Sequence, residues 1–502
     1  MGDPLFIGID LGTTNGKVAC YDSRGSLQAQ AQRSYPTSYP KPGWAEQKPE
    51  DWIAALTKCL KESAADLGDR ASDVSGISIS NFGPGLVLVD QDGEPLSACP
   101  TWQDERCREQ GERLIQDVGA GWIGLGPPLT GFPAKVLWTV EHTPELIAKS
   151  SMLLDLKGFL LHWLTGSAVT DPSSGPGANE WYEPAFNYAH VSLEQLARVV
   201  KPTSSPGGLQ AELAHVVGLP SGIPVYAGIN DGAAATLGSG VIHRGESIIT
   251  LATNGVARVV VDGRLDSKTI LDNHLFSWPY IEDHWICGGF TYSGAGSLQW
   301  LVEMMGLPQE DASYETVLSE AEQAPPGSEG VIFLPYLAGR GTPKADTSMR
   351  GGFLNLAIHH RRAVLTRALL EGITYSLYEI YDEFERQGIQ SKSIRVTGGG
   401  AQSALWRQII ADVLNRSVMR AGGDATLGSV VVAAVGQGVF ADFDTAAKEM
   451  VHTTSHETPD PGNAQAYDVL YKVFARARDA CVFIDPLLDN ETDYSGKPDS
   501  DQ

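Results

Sequence analysis

The feature that most constrains this chain is a strand–turn–strand opening that occurs twice. The first runs through residues 5–10, the loop Gly12-Thr13-Thr14-Asn15-Gly16 and residues 17–22; the second through residues 246–252, the turn Thr253-Asn254-Gly255 and residues 256–262. Both carry Thr-Asn-Gly at the turn. Three shared residues say little alone, but their place at the start of each half predicts a duplicated α/β unit. Strands and helices then alternate. A helix is expected from Pro49-Glu50-Asp51, with acids where the peptide dipoles favour them and Trp52, Leu56, Cys59 and Leu60 on one face. Strands are expected at 74–80 and 86–90. At 502 residues the chain is too long for one ordinary core, so two domains are expected, 1–243 and 244–489, with a polar tail over 490–502. The Pro/Gly-rich stretches 172–177 and 202–208 read as surface loops.

The balance of 37 basic against 61 acidic side chains gives a net charge of −24, which argues against a long-range grip on nucleic acid but leaves room for a local phosphate site. The six cysteines are scattered, without a CxxC pair or zinc-ligand spacing, and read as reduced thiols. Neither a signal sequence nor a lipid anchor is read at the N-terminus. The uncharged run 425–441 is short and glycine-interrupted, so it is expected to be a buried helix and not a membrane span. The expectation is a soluble, cytoplasmic protein with no nucleic-acid or membrane partner.

Four segments carry residues suited to chemistry. The loop after the opening strand offers unobstructed backbone N–H groups at Gly12 and Gly16, hydroxyls at Thr13 and Thr14, and Lys17 to neutralise a phosphate oxygen. Asp10, at the strand end, is suited to a hydrated Mg²⁺. The spacing is not that of a Walker A loop, and the plain alternative is a polar hairpin turn. The second segment, Gly398-Gly399-Gly400-Ala401, lies between a strand and a helix expected over 402–415. Three glycines there let a planar ligand lie against the backbone near a helix N-terminus, the alternative being a tight turn. The third is Asp231, followed by Gly232-Ala233-Ala234-Ala235; an isolated acid here is a helix cap or a base. The fourth is Trp102-Gln103-Asp104-Glu105-Arg106, where Asp104 and Arg106 suit sugar hydroxyls and Trp102 the C–H face of a sugar, or where a surface ion pair sits.

In this order, together with Pro42-Gly43-Trp44-Ala45-Glu46-Gln47, Lys135-Val136-Leu137-Trp138 and Phe333-Leu334-Pro335-Tyr336, these segments resemble the FGGY family of carbohydrate kinases, of the sugar kinase, Hsp70 and actin superfamily. The resemblance runs from Phe6 to about Phe440. It implies an α/β fold of two ribonuclease-H-like (actin-like ATPase) domains flanking a catalytic cleft, the first binding sugar and the second nucleotide. It implies Asp231 as general base and sugar ligand, and Asp10 with Asp231 at Mg²⁺. It places Gly12, Thr13, Thr14, Asn15, Lys17 and Thr253 at the phosphates, Gly399, Gly400 and Ala401 against the adenine nucleotide, and Gly294, Gly296 and Gln299 on the opposite wall. Trp102, Asp104 and Arg106 are the implied sugar contacts.

After the strand at 77–80, xylulokinases of the family usually show Gln-Met-His-Gly and glycerol kinases Asn-Gln-Arg-Glu; here Ser80-Asn81-Phe82-Gly83 stand instead. Asn81 and Phe82 are therefore the expected sugar contacts on that segment. The missing Arg/Glu pair argues against glycerol, and a ketopentose such as xylulose is the leading substrate, with gluconate its nearest rival. The partners expected are ATP and a small sugar, in a chain compatible with a homodimer. The rival of another class is a noncatalytic actin-like sensor of sugar or nucleotide, which has no need to keep both Asp10 and Asp231.

Overall fold

The computed structural model of the protein describes residues 3–481; the expected tail over 490–502 and the domain limit at 489 lie outside the described residues. Both strand–turn–strand openings form. In the first, β1 (Leu5–Leu11) and β2 (Asn15–Asp22) pair antiparallel, Asp10 opposite Lys17. β3 (Leu27–Ser34) follows, then α1 (Pro49–Leu67), which begins with Pro49 and acids in its first turn and buries Trp52, Leu56, Cys59 and Leu60. β4 (Val74–Asn81) pairs parallel to β1 and sets Asp10 opposite Ser80. Further along lie α2 (Leu156–Thr165), the short β5 (Gly207–Gly208), β6 (Pro224–Tyr226) and α3 (Asp231–Gly238). The sheet order is β5-β6-β4-β1-β2-β3, with β6 also parallel to β4. Parallel neighbours β1, β4 and β6 end on the same side, so the residues that follow each strand meet there. The second opening forms the strands Glu246–Leu251 and Gly255–Val261, within a seven-stranded sheet ordered 276–279, 285–291, 255–261, 246–251, 393–397, 418–421 and 453–457.

By contact density the chain makes two compact units. Among the described residues, unit 1 takes the chain up to Ile248 together with Arg258–Gly288 and Arg420–Ser455; unit 2 takes Ile249–Ala257, Gly289–Met419 and residues 456–481. This differs from a single cut at 243/244, and close packing is the reason. The helix Ala425–Gly436, buried as expected, lies directly on β1 and α3. A Cβ at Gly8 would meet Thr426 O at 2.1 Å, one at Gly428 would meet Ala234 O at 1.9 Å, and one at Gly238 would meet Asp424 O at 1.9 Å. Glycine at these positions lets backbone touch backbone, which draws a C-terminal segment into unit 1. Its other sheet face is covered by α1 and α2, with Trp52, Leu56, Ile77, Leu160 and Leu164 in one core.

Unit 2 is built around the 25-residue helix Arg362–Arg386, with the helices Ala295–Met304, Asp311–Ala321, Ala404–Leu414 and Pro461–Cys481. A short antiparallel pair, Ile332–Leu334 with Gly352–Leu354, packs against it. Among the described residues no helix is long and apolar enough to cross a membrane. The six cysteines are free, and all but Cys481 are buried. Residues 172–177 are a correction to the sequence reading: most are buried, because Asp171 is buried and takes its hydrogen bonds from Ser173 and Ser174.

Candidate active site

In unit 1 the loop after β1 is pinned from several sides. Gly12 N–H donates to Asn15 O at 3.0 Å and closes the turn, while the Tyr35 hydroxyl donates to Gly12 O. Gln47 donates to Thr13 O at 2.6 Å, and Trp102 Nε1 to Thr13 Oγ1 at 2.9 Å. The Trp102 indole thus braces the loop, beyond the sugar contact expected of it. Lys17 donates to Asp424 at 2.6 Å, both groups being partly exposed. A loop held this way presents its remaining donors without having to order itself on binding, which lowers the entropic cost of holding phosphate.

The acids gather at the ends of the parallel strands. Asp10 accepts from Ser80 Oγ at 2.6 Å, and its carboxyl is pushed up to about 7, first by burial and then by the negative charges of Asp231 and Asp424. Asp231 is also raised, by burial above all; Arg258, the Gly232 amide and Lys157 pull the other way. Asp424 is held below the usual carboxylate range: burial opposes this, but Lys17, Thr426 and the Leu427 amide outweigh it. Asp231 is not the helix cap. Asn230 takes that role, accepting from Ala233 N at 2.8 Å, so Asp231 at the first helical position keeps its carboxylate for chemistry, engaged by its neighbour's amide at 2.6 Å. The charges of Asp231 and Asp424 make the surroundings of Asp10 too negative for a second carboxylate, and hard oxygen donors in such a field suit a hard divalent cation.

The other sequence-predicted residues of unit 1 fall into two groups. Asn81 is buried and donates to Phe82 O at 2.8 Å, while its Oδ1 has no hydrogen-bond partner. A buried acceptor left over at the end of β4 fits a ligand hydroxyl. Phe82 and Asp104 differ from their expected roles. The Phe82 ring is buried against Trp52, 5.9 Å between centroids, because an aromatic side chain at this strand end packs into the core beneath α1. Asp104 is fully buried; its oxygens accept from Ala45 N at 2.7 Å and from the Arg106 backbone and guanidinium, so no open carboxylate faces a sugar. Arg106 in turn pairs with Glu46 at 2.6 Å and lies 3.5 Å over the Trp44 ring. This cluster shapes the segment that carries Trp102.

In unit 2, Thr253 is exposed at the turn of the second hairpin. The helix Ala295–Met304 starts directly against it: Ala295 N–H donates to Ala252 O at 2.7 Å and Gly296 N–H to Thr253 O at 3.3 Å. A Cβ at Gly294 would lie 2.5 Å from Ala252 O, so glycine is required for the helix N-terminus to reach the turn. Gly398 has φ +91 and backs onto Leu251, and Gly400 packs against Leu251 and Trp406. Gly399 has nothing within 4 Å of its Cβ direction and offers a bare backbone surface. Ala401 is buried, and Gln299 is exposed and donates to Gln309 at 2.5 Å. The glycine run therefore does two jobs, one against the protein and one open.

Sequence reasoning missed Ser80 as the Asp10 partner, Asp424, Arg258 and Lys157. Asp424 had a signal, as the cap residue before an apolar helix whose side chain accepts from Thr426 and Leu427. Arg258 had none beyond its charge; it lies against Gly232, and burial pulls its pKa down to about 10 against the opposing field of Asp231.

Strand ends that bring acids to a pinned glycine- and threonine-rich loop, in a ribonuclease-H-like sheet order, fit a phosphotransferase of the actin-like ATPase class. The N-terminal domain of the FGGY family of carbohydrate kinases matches residues 5–238 and its C-terminal domain residues 261–436. The chain is 31% identical over 487 residues to a xylulose kinase of Lactococcus lactis, covering 93% of this chain and 95% of that one. It is 26% identical over 489 residues to a gluconokinase of Bacillus subtilis, covering 93% and 94%. The structure of a xylulose kinase from Rhodospirillum rubrum superposes with a TM-score of 0.84 at 26% identity, over 96% of this chain and 99% of the other. The chain belongs to the FGGY family of carbohydrate kinases. It is a phosphotransferase with an alcohol group as acceptor.

Proposed function

We propose that this kinase transfers the γ-phosphate of ATP to a hydroxyl of a ketopentose such as xylulose. The observation that carries the chemistry is Asp231: raised by burial, released from capping by Asn230, and placed where its charge raises the Asp10 carboxyl. In this reading Asp231 takes the sugar hydroxyl proton as the O–P bond forms and the bond from the γ-phosphorus to the bridging oxygen breaks, releasing ADP. Because phosphoryl transfer is largely dissociative, the proton leaves late and a carboxylate suffices as base. Asp10 and Asp231 would hold Mg²⁺, which when bound neutralises charge on the phosphates. Gly12, Thr13, Thr14, Asn15 and Lys17 orient those phosphates. Thr253, Gly294, Gly296, Gln299, Gly399, Gly400 and Ala401 take the nucleotide, and Asn81 and Trp102 face the sugar. Within this reading residues 1–243 form the sugar-binding part and 244–489 the nucleotide-binding part, in a cytoplasmic protein.

The sugar is supported by the xylulose kinase relatives at 30–32% identity. The gluconokinase likeness makes gluconate the second candidate. ADP release measured across pentuloses, hexuloses, polyols and aldonates is expected to give the highest kcat/KM with a pentulose. A preference for gluconate would replace the sugar and keep the mechanism. Nucleotide binding with no sugar-dependent ADP release would favour a sensor. A second check is Lys17→Met, expected to raise the KM for ATP by roughly 10- to 150-fold, since a charge-assisted bond to phosphate is worth roughly 1.5–3 kcal/mol. An unchanged KM would take Lys17 out of phosphate binding.

A further inference from the structure

Lys157 lies in α2 among buried Leu156, Phe159, Leu160 and Leu161 and is itself 0% exposed. A fully buried ammonium is costly unless its hydrogen bonds are met and its charge is matched. Here Nζ donates to Ile79 O at 2.5 Å and to Ile229 O at 3.0 Å, and lies 3.7 Å from Asp171 Oδ1. Burial draws its pKa down to about 8, opposed by Asp171, Asp155 and Asp10, so it is mostly protonated at neutral pH.

The acceptors are the peptides that immediately precede the reacting acids' supports. Ile79 is followed by Ser80, whose hydroxyl holds Asp10; Ile229 is followed by Asn230 and Asp231. The two backbone segments also touch, since a Cβ at Gly228, whose φ is +74, would lie 1.9 Å from Ile79 O. Asp171 extends the connection: it accepts from Ser173 and Ser174, and Ser173 in turn accepts from Asn230 N at 2.9 Å and Asn230 Nδ2 at 2.7 Å. One ammonium therefore bridges the C-terminal end of β4, the segment before α3 and the loop that cradles the cap of α3.

We propose that Lys157 is a positioning residue for phosphoryl transfer: by clasping the carbonyls of Ile79 and Ile229 it sets the spacing between the Asp10 and Asp231 carboxylates. The inference rests on the reading of Asp231 as base. It gives a function to a lysine that touches neither substrate and whose burial the core alone does not require, because a leucine or methionine would pack against the same neighbours at lower desolvation cost.

The test uses the full chain. Lys157→Met strands Asp171 as a buried charge, so it is paired with Lys157→Met/Asp171→Asn, which removes both charges together and is expected to restore cooperative unfolding. In that double variant kcat per folded molecule is expected to fall by roughly 10- to 100-fold, since ångström-scale misplacement of a base costs about that much. The KM values for sugar and ATP are expected to stay within about threefold, because binding groups are untouched. Asp171→Asn alone, which keeps the carbonyl clasp, is expected to retain most of kcat. A stably folded double variant with wild-type kcat overturns the proposal, as does an Asp171→Asn loss equal to that of Lys157→Met/Asp171→Asn. Added to Asp231→Asn, the double change is expected to cost no further kcat; a full independent loss overturns the route through Asp231. If Asp231→Asn by itself keeps turnover, the base reading fails, and the Lys157 clasp fails with it only if the double variant also keeps kcat.

Discussion

Asp231→Asn is expected to lower kcat by roughly 10²- to 10⁴-fold, the usual worth of a positioned general base, with the KM for sugar nearly unchanged. Asparagine keeps the size and one acceptor oxygen of the side chain, and α3 keeps its cap because Asn230, not Asp231, accepts from Ala233 N. What is lost is the capacity to take a proton. A structural role would show as lost stability, and removal of this buried acid, whose folded pKa is raised by burial, should if anything stabilise the fold at neutral pH. The sign follows from that shift: the acid's contribution to folding is fully present below its unfolded pKa and is lost as pH rises through the higher folded value. Steady-state kinetics with urea unfolding on the same preparation separates the two effects. A variant retaining most of its turnover would remove Asp231 from the base role.

The second large effect is on the fold and reaches the site. Gly428→Val is expected to lower stability by about 3 kcal/mol or more, because overpacking at a backbone contact leaves no flexible neighbour to give way. A Cβ at this position already lies 1.9 Å from Ala234 O and 2.7 Å from Ala234 C, so the helix Ala425–Gly436 and α3 must part. α3 begins with Asp231, so kcat of the folded fraction is expected to fall as well, by about tenfold for a sub-ångström shift. Urea denaturation followed by tryptophan fluorescence should show a lower midpoint at unchanged slope. Gly263→Ala serves as control: nothing lies within 4 Å of its Cβ direction, and the change should stay within about 0.5 kcal/mol. Equal stability of Gly428→Val and wild type would mean that the close helix contact is not needed.

Much of the fold was legible in the chain because local rules agreed. The doubled strand–turn–strand openings, the acids at the start of α1 and the run of small residues after Asp231 each point to their observed element. The turn between β1 and β2 was legible because glycine and threonine between two short apolar runs mark a hairpin. Roles that depend on what faces a side chain were not. Asp104 and Arg106 were read as open to a sugar, whereas Glu46 and the Ala45 amide, some sixty residues earlier, close them off. Phe82 stands next to Asn81 in sequence, yet one ring packs into the core and the other side chain leaves an acceptor unused.

The sequence by itself determined the α/β class, the duplicated opening and the turn between its first two strands, because these depend on residue type and on spacing within one element. Only the tertiary structure decided which residue holds Asp10, what Lys17 pairs with, and that the helix Ala425–Gly436 belongs with β1. Those outcomes rest on contacts between residues separated by 70 to some 400 positions, such as Ser80 with Asp10 and Lys17 with Asp424. Register, burial and the field of distant charges exist only once the strands are aligned, and no local pattern encodes them.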